Sequence, residues 1–187
     1  MVYINGIECK ATTKQVELFM DCLANSTNHI ITNEDLTVET PIICTIASQL
    51  DIPRNVLITV TDEDTSISAF DIDVLGVNAE GDIITENFVF AGGLVQVGNI
   101  AFVTITSVIV NSIIGDNEGD VLNVGIGSKI GLSNTISLSG DVYKITLGTT
   151  NLDLADYTVN VTYNTVDLSV GAPIGAYSDY TIWYKTS

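Results

Sequence analysis

Positive charge is scarce in this sequence. Its 187 residues carry six lysines and arginines against 23 aspartates and glutamates, which gives a net charge of −17 and a pI near 4.1. An acidic surface repels phosphate backbones, because nucleic-acid binding depends on cations that displace counterions from them. We therefore expect no direct binding to DNA or RNA. The same charge would keep copies of the chain soluble until they meet a partner.

Long apolar runs and a secretory leader are also missing. A bilayer-spanning helix needs about 20 consecutive apolar residues, and no run in the sequence has that character. Residues 1–10 lack the basic lead, apolar segment and small-residue cleavage site of a signal peptide. We expect a chain that folds in a cytoplasm and has no membrane partner.

Cysteine and histidine are too few for the sites they usually build. The cysteines Cys9, Cys22 and Cys44 are odd in number and widely spaced, which argues against a disulfide framework and a metal site. We interpret them as small buried hydrophobic residues. His29 is the single histidine and lies in a polar segment, so we expect no catalytic triad built on it. These shortages predict a protein that is not an enzyme and binds no cofactor.

What the sequence does contain is a series of short runs rich in Val, Ile, Thr and Phe, bounded by Gly, Asn or Asp. Ile72 and Val74, for example, alternate with Asp71 and Asp73, as in a strand with one buried face. The runs predict a mainly β fold, an antiparallel β-sandwich of jelly-roll or Ig-like type. We place the sandwich core at 39–132 and a C-terminal β subdomain, packed on that core, at 133–187.

Residues 1–38 are predicted to form a separate N-terminal segment of strand, helix and loop. Thr12 and Gln15 have the form of a capping box, and four apolar residues follow at helical spacing: Val16, Phe19, Met20 and Leu23. We therefore predict one short helix between residues 12 and 25. A strand is the alternative, because another apolar set alternates with polar residues: Val16, Leu18, Met20 and Cys22. Pro41 then predicts an edge strand or a strand start.

Acidic clusters are the candidate metal sites. Five carboxylates could contribute oxygen ligands to calcium, which takes about six to eight of them: Asp62, Asp64, Asp71, Asp116 and Asp120. The sequence after Asp62 is not an EF-hand loop, because Ile67 stands where that loop has Gly. Asp and Asn are favoured in turns for backbone reasons, so we predict turns rather than a calcium site. Such abundant carboxylates also leave an acid-rich hydrolase as an alternative.

Aromatic residues near the C-terminus raise a further hypothesis. In the run 180–184, alternation places Tyr180, Ile182 and Tyr184 on one face and Trp183 on the other. We expect core packing for the first set. Tyr177 and Trp183 remain as a possible surface-aromatic binding site, which would suit a carbohydrate-binding adhesin module.

Several runs taken together resemble a module of virion structural proteins from tailed bacteriophages. A Gly-rich turn at 76–82 precedes a strand that begins Thr85-Glu86, and a Phe-Val-Thr-Ile-Thr-Ser-Val strand follows at 102–108. A second pattern of that class is similar to Tyr-Thr-Val at 157–159, Thr-Val at 165–166 and Ala-Pro at 172–173. The resemblance covers residues 55–187, and Asn78 departs from it, standing where the pattern has Asp.

The resemblance implies a non-enzymatic virion protein, made in the cytoplasm of a host bacterium. The closest role within that class is a capsid decoration (cement) protein on the outer face of the assembled head. Its partners would be the major capsid protein or other virion proteins, and it would form a homo-oligomer, with a trimer favoured. Residues 1–38 would be its attachment arm. A head-tail connector or a tail component is the alternative.

Overall fold

Antiparallel strands make up most of the protein. The computed structural model describes residues 2–4, 7–9, 15–90, 93–169 and 178–186. In chain order the strands are β1 (Val2–Ile4), β2 (Ile7–Cys9), β3 (Gln15–Cys22), β4 (Ser26–Asp35), β5 (Ile42–Ile43), β6 (Arg54–Thr61), β7 (Ala69–Val77), β8 (Ile83–Val89), β9 (Val95–Val97), β10 (Thr104–Ile114), β11 (Val121–Gly131), β12 (Val142–Leu147), β13 (Thr150–Asn151), β14 (Thr158–Asn160), β15 (Thr165–Asp167) and β16 (Ser178–Lys185). Within these ranges the one helical element is a 3₁₀ turn, Ser139–Asp141. No helix in the described ranges is long and apolar enough to cross a membrane.

Two sheets face each other across a first hydrophobic core. The first sheet has the order β5-β10-β7-β8, and the second has the order β14-β15-β11-β6-β9, with β4 also paired to β11. In β7, Phe70, Ile72 and Val74 are buried while Asp71 and Asp73 are partly exposed on the other face. The core that these sheets enclose, here the first core, consists of aliphatic and Phe side chains contributed mainly by β4, β6, β7, β10 and β11. The expected mainly β, antiparallel sandwich is confirmed.

A third sheet encloses a second core. Its order is β13-β12-β16-β3, and its inner face carries Tyr180, Ile182 and Tyr184, all fully buried. Ile130, near the end of β11, and Leu132, which follows the strand, lie in the same cluster, so β11 reaches from one core to the other. The predicted alternation of residues 180–184 is confirmed.

The predicted helix between residues 12 and 25 is wrong, because residues 15–22 form β3. This strand pairs with β16 along its whole length, from Gln15 opposite Lys185 to Cys22 opposite Ser178. Met20 and Cys22 are buried in the second core. Residues 15–22 fit both the helical spacing and the strand alternation of apolar residues. Pairing with β16, near the other end of the chain, selects the strand.

The three predicted units share sheets. Of residues 1–38, the described stretch 15–35 forms β3 and β4, which pair with β16 and β11. This stretch is therefore integral to the sheets, and its role as an attachment arm stays a prediction. From the C-terminal unit, β14 and β15 form a hairpin around Asn164, and β15 joins β11 in the second sheet. β5 follows Pro41 at the edge of the first sheet, as predicted.

Candidate functional site

Two acidic turns meet at one end of the sandwich. One joins β6 to β7 at 62–68, and the other joins β10 to β11 at 115–120. They bring Asp62, Asp64 and Asp120 together, with one carboxylate oxygen from each within 4.8 Å of the others. Three of the five predicted calcium candidates therefore share one cluster.

The carboxylates of this cluster accept hydrogen bonds that shape the turns. Asp120 is fully buried and accepts from the backbone N–H of Glu63 and of Asn117, each at 2.8 Å. Asp62 accepts from the N–H groups of Ser66 and Ile67, each at 3.1 Å. The hydroxyl of Ser66 donates to Asp64 and lowers the pKa of that carboxyl. These contacts give the acidic residues a role in the turns, and the less favoured alternative of a calcium site stays untested.

The remaining candidates lie elsewhere. Asp71 accepts from the side-chain amides of Asn87 at 2.6 Å and Asn111 at 3.4 Å, on the outer face of the first sheet. Asp73 shares both amide partners. Asp116 is half-buried in a shallow depression beside Thr37 and Glu39. Neither Asp71 nor Asp116 joins the three-carboxylate cluster.

Trp183 lies on the outer face of the third sheet, as the alternation predicts. The ammonium of Lys144 sits 4.2 Å from the centre of its ring, a cation–π contact. A sugar that stacked on the ring face that Lys144 covers would have to displace the lysine. Tyr177, the other predicted surface aromatic, lies outside the described residues.

His29 takes part in a backbone contact. Its Nε2 is 3.0 Å from the carbonyl oxygen of Gln49, and its own carbonyl oxygen accepts from the hydroxyl of Ser48. The ring therefore holds the 47–50 segment against β4.

Sequence reasoning missed a face without charge on the second sheet. Cross-strand partners on β9, β6 and β11 place these residues on its outer side: Val95, Val97, Leu57, Thr59, Thr61 and Val121. The next outward positions of β11, Asn123 and Gly125, are buried beneath β4. Val95 and Val97 are 58% and 52% exposed. We call the first of these two sets the uncharged face. Its acidic border is marked by Asp35, opposite Val121 on β4, and by Asp62, which follows Thr61.

The absence of acidic residues on the uncharged face contrasts with their abundance in the rest of the chain and suits this face to a partner. The chain has 23 acidic residues among 187, yet three neighbouring strands present none of them here. Burying an unpaired carboxylate is costly, whereas Val, Leu and Thr can be covered by a partner without that penalty. The sequence signal was present in the run 56–61, where residues on both sides of the strand are uncharged.

Arg54 is a second residue that sequence reasoning missed. It is fully buried at the start of β6, where it forms an ion pair with Asp51 at 3.1 Å. Its guanidinium also donates to the carbonyl oxygens of Leu23 at 3.0 Å and Gly127 at 2.8 Å and to the side chain of Asn25. It is the single arginine of the chain. Its contacts join the β3–β4 connection to β11, a structural role.

A cleft of about 340 Å³ lies where the β7–β8 turn approaches the β14–β15 turn. Glu80, Asp82 and Tyr163 line it, and the side chain of Asn164 donates to Glu80 at 2.7 Å across it. The described lining has carboxylates and no basic side chain, so it does not suit an anionic ligand. Comparison with protein-family models, curated proteins and solved structures gives no significant match for this chain.

Proposed function

We propose that this protein is a non-enzymatic structural component of a tailed-bacteriophage virion, a decoration protein bound to the outer face of the assembled head. Two features support this role besides the sequence resemblance. The chain is strongly acidic, with a net charge of −17, and its sandwich presents one sheet face without charge. A protein made in many copies needs the first feature to stay soluble and the second to pack on its partner.

The uncharged face is the observation that carries the proposal. Val95 and Val97 lie on an edge strand, paired on one side only with β6, and their side chains are more than half exposed. Apolar groups on such an edge gain free energy when a partner removes them from water. On an assembled shell, that gain would favour the lattice state to which the protein binds most tightly.

Purified virions test the role directly. Mass-spectrometric counting should find this chain in a copy number comparable to that of the major capsid protein. A small number of copies would instead favour the connector or tail alternative. Absence from the particles would overturn the proposal.

Substitutions on the uncharged face test whether this face binds the assembled head. Val95→Asp together with Val97→Asp should lower incorporation into particles by at least about tenfold, which corresponds to roughly 1.4 kcal/mol of binding free energy. Leu138→Asp together with Leu154→Asp is the matched control. These leucines are 67% and 81% exposed and lie off the uncharged face, and the charge change is the same. Equal incorporation of the two double variants would contradict the assignment of this face.

A further inference from the structure

Free positive charge is confined to one place in the described part of the chain. Arg54 is buried and paired, and the ammonium of Lys129 donates to Gly98 at 2.8 Å and Asn99 at 2.7 Å. Lys144 and Lys185 remain, and both are exposed. Lys10 and Lys14 lie outside the described residues.

Lys144 and Lys185 share the outer face of the third sheet with aromatic rings. Lys144 stands opposite Trp183 in the β12–β16 pair and lies 4.2 Å from its ring centre. The ammonium of Lys185 lies 6.0 Å from the ring centre of Tyr143, which is 44% exposed. A ring face leaves ammonium N–H groups available for acceptors. We call Tyr143, Lys144, Trp183 and Lys185 the lysine–aromatic face.

Carboxylates on the same side of the third sheet are mostly set apart from the lysines. Asp21 and Asp179 stand opposite each other at the far end of β3 and β16. Glu17 is the nearer one, opposite Trp183. The lysine end of the sheet is therefore a local excess of positive charge on a protein whose surface is otherwise acidic.

The acidic turns lie at the other end of the molecule. β11 starts at Val121, next to these turns, and ends in the second core beneath the third sheet. Its 11 residues span roughly 35 Å at about 3.3 Å per residue. Glu63 and Glu118 are exposed on the turns. Neither carboxylate takes part in the hydrogen bonds that hold the turns, so both are available to a partner.

We propose that the lysine–aromatic face of one copy docks on the acidic turns of a second copy, with Glu63, Asp64 and Glu118 facing Lys144 and Lys185. The two surfaces are different and lie at opposite ends, so the contact is head-to-tail. Such contacts close into a ring when the rotation between copies allows it, and otherwise continue as a filament. The inference rests on the proposed assembly role and names a second copy of the chain as a partner.

Salt dependence is the first test. The purified full-length chain, with a chelator present to remove bridging cations, should sediment as an oligomer at about 0.15 M salt. There the screening length of about 8 Å suppresses the repulsion between the acidic bodies of two copies but leaves ion pairs in contact attractive. At about 1 M salt that length falls to about 3 Å, and the oligomer should dissociate. A chain that remains monomeric at about 0.15 M salt overturns the inference.

Charge reversal is the decisive test. Lys144→Glu with Lys185→Glu should give a monomer, and Glu63→Lys with Glu118→Lys should give a monomer as well. Combining all four substitutions in one chain, or mixing the two double variants, should restore the oligomer, because each junction again joins opposite charges. Asp82→Lys with Asp153→Lys is the control for net charge, at exposed positions on neither surface, and should leave the oligomer intact.

The outcomes separate this inference from the proposed function. Lysine variants that oligomerise like the unchanged chain, or a fourfold variant that stays monomeric while folded by circular dichroism, overturn head-to-tail docking. If particles still contain the chain in many copies, the decoration role survives that result. If the oligomer forms as described and particles lack the chain, docking stands and the decoration role fails.

Discussion

The two cores of this protein are assembled from different parts of the chain. The first core draws on residues 30–126, in which strands follow one another at short intervals. The second core joins Met20 and Cys22 to residues 130–184, so that β3 and β16, from opposite ends of the described chain, lie side by side. Local pattern is therefore a good guide to the first core, whereas the second depends on pairing between distant segments.

The largest expected effect on stability comes from removing Arg54, whose contacts link the two cores. Arg54→Met leaves Asp51, whose side chain is 9% exposed, without its ion-pair partner, and should destabilise the protein by about 3–5 kcal/mol. Denaturant unfolding measures the change. The double variant Arg54→Met with Asp51→Leu removes both charges and should recover part of the loss. A single variant as stable as the unchanged protein would show that the network does not hold the cores together.

One Ile→Ala substitution in each core compares the stability of the two cores. Ile58 in the first core and Ile182 in the second are both fully buried, and truncation of either to Ala should cost about 2–5 kcal/mol. If the second core opens by itself, Ile182→Ala will make residues 133–169 sensitive to protease at denaturant concentrations where the first core still resists. Trp183, the single tryptophan, reports the same opening by fluorescence. Coincident transitions in both variants would mean that the two cores unfold as one unit.

A smaller effect is expected where β4 approaches β11. A Cβ at Gly125 would overlap the carbonyl oxygen of Ser26, so Gly125→Ala should destabilise the protein by about 1–3 kcal/mol. Gly140→Ala is the control, because no atom lies within 4 Å of its Cβ position. Equal melting temperatures for the two variants would show that β4 moves aside without cost.

Pattern and packing explain which features were predictable. Ile72 and Val74 carry an unambiguous period of two, and β7 follows it. Residues 15–22 carry both periods, and only the distant β16 selects the strand. Gly125, inside β11, admits β4 at close range, and no local pattern in the sequence indicates this contact. The acidic turns were visible as Asp-rich runs, but the uncharged face depends on the alignment of three strands, which no single run reveals.

The last comparison measures how fast one buried cysteine in each core reacts with a thiol reagent. Cys22 lies in the second core and Cys44 in the first, both buried and free. Burial raises the pKa of each thiol to about 12, so neither should react with a thiol reagent at pH 8 until its core opens, since the thiolate is the nucleophile. In a Cys9→Ser background, Ile182→Ala should speed labelling of Cys22 more than that of Cys44, and Ile58→Ala should do the reverse. Peptide mapping of the labelled protein measures both rates. Equal acceleration at both cysteines in either variant would show that neither core opens without the other, and the structural division between them would then have no counterpart in stability.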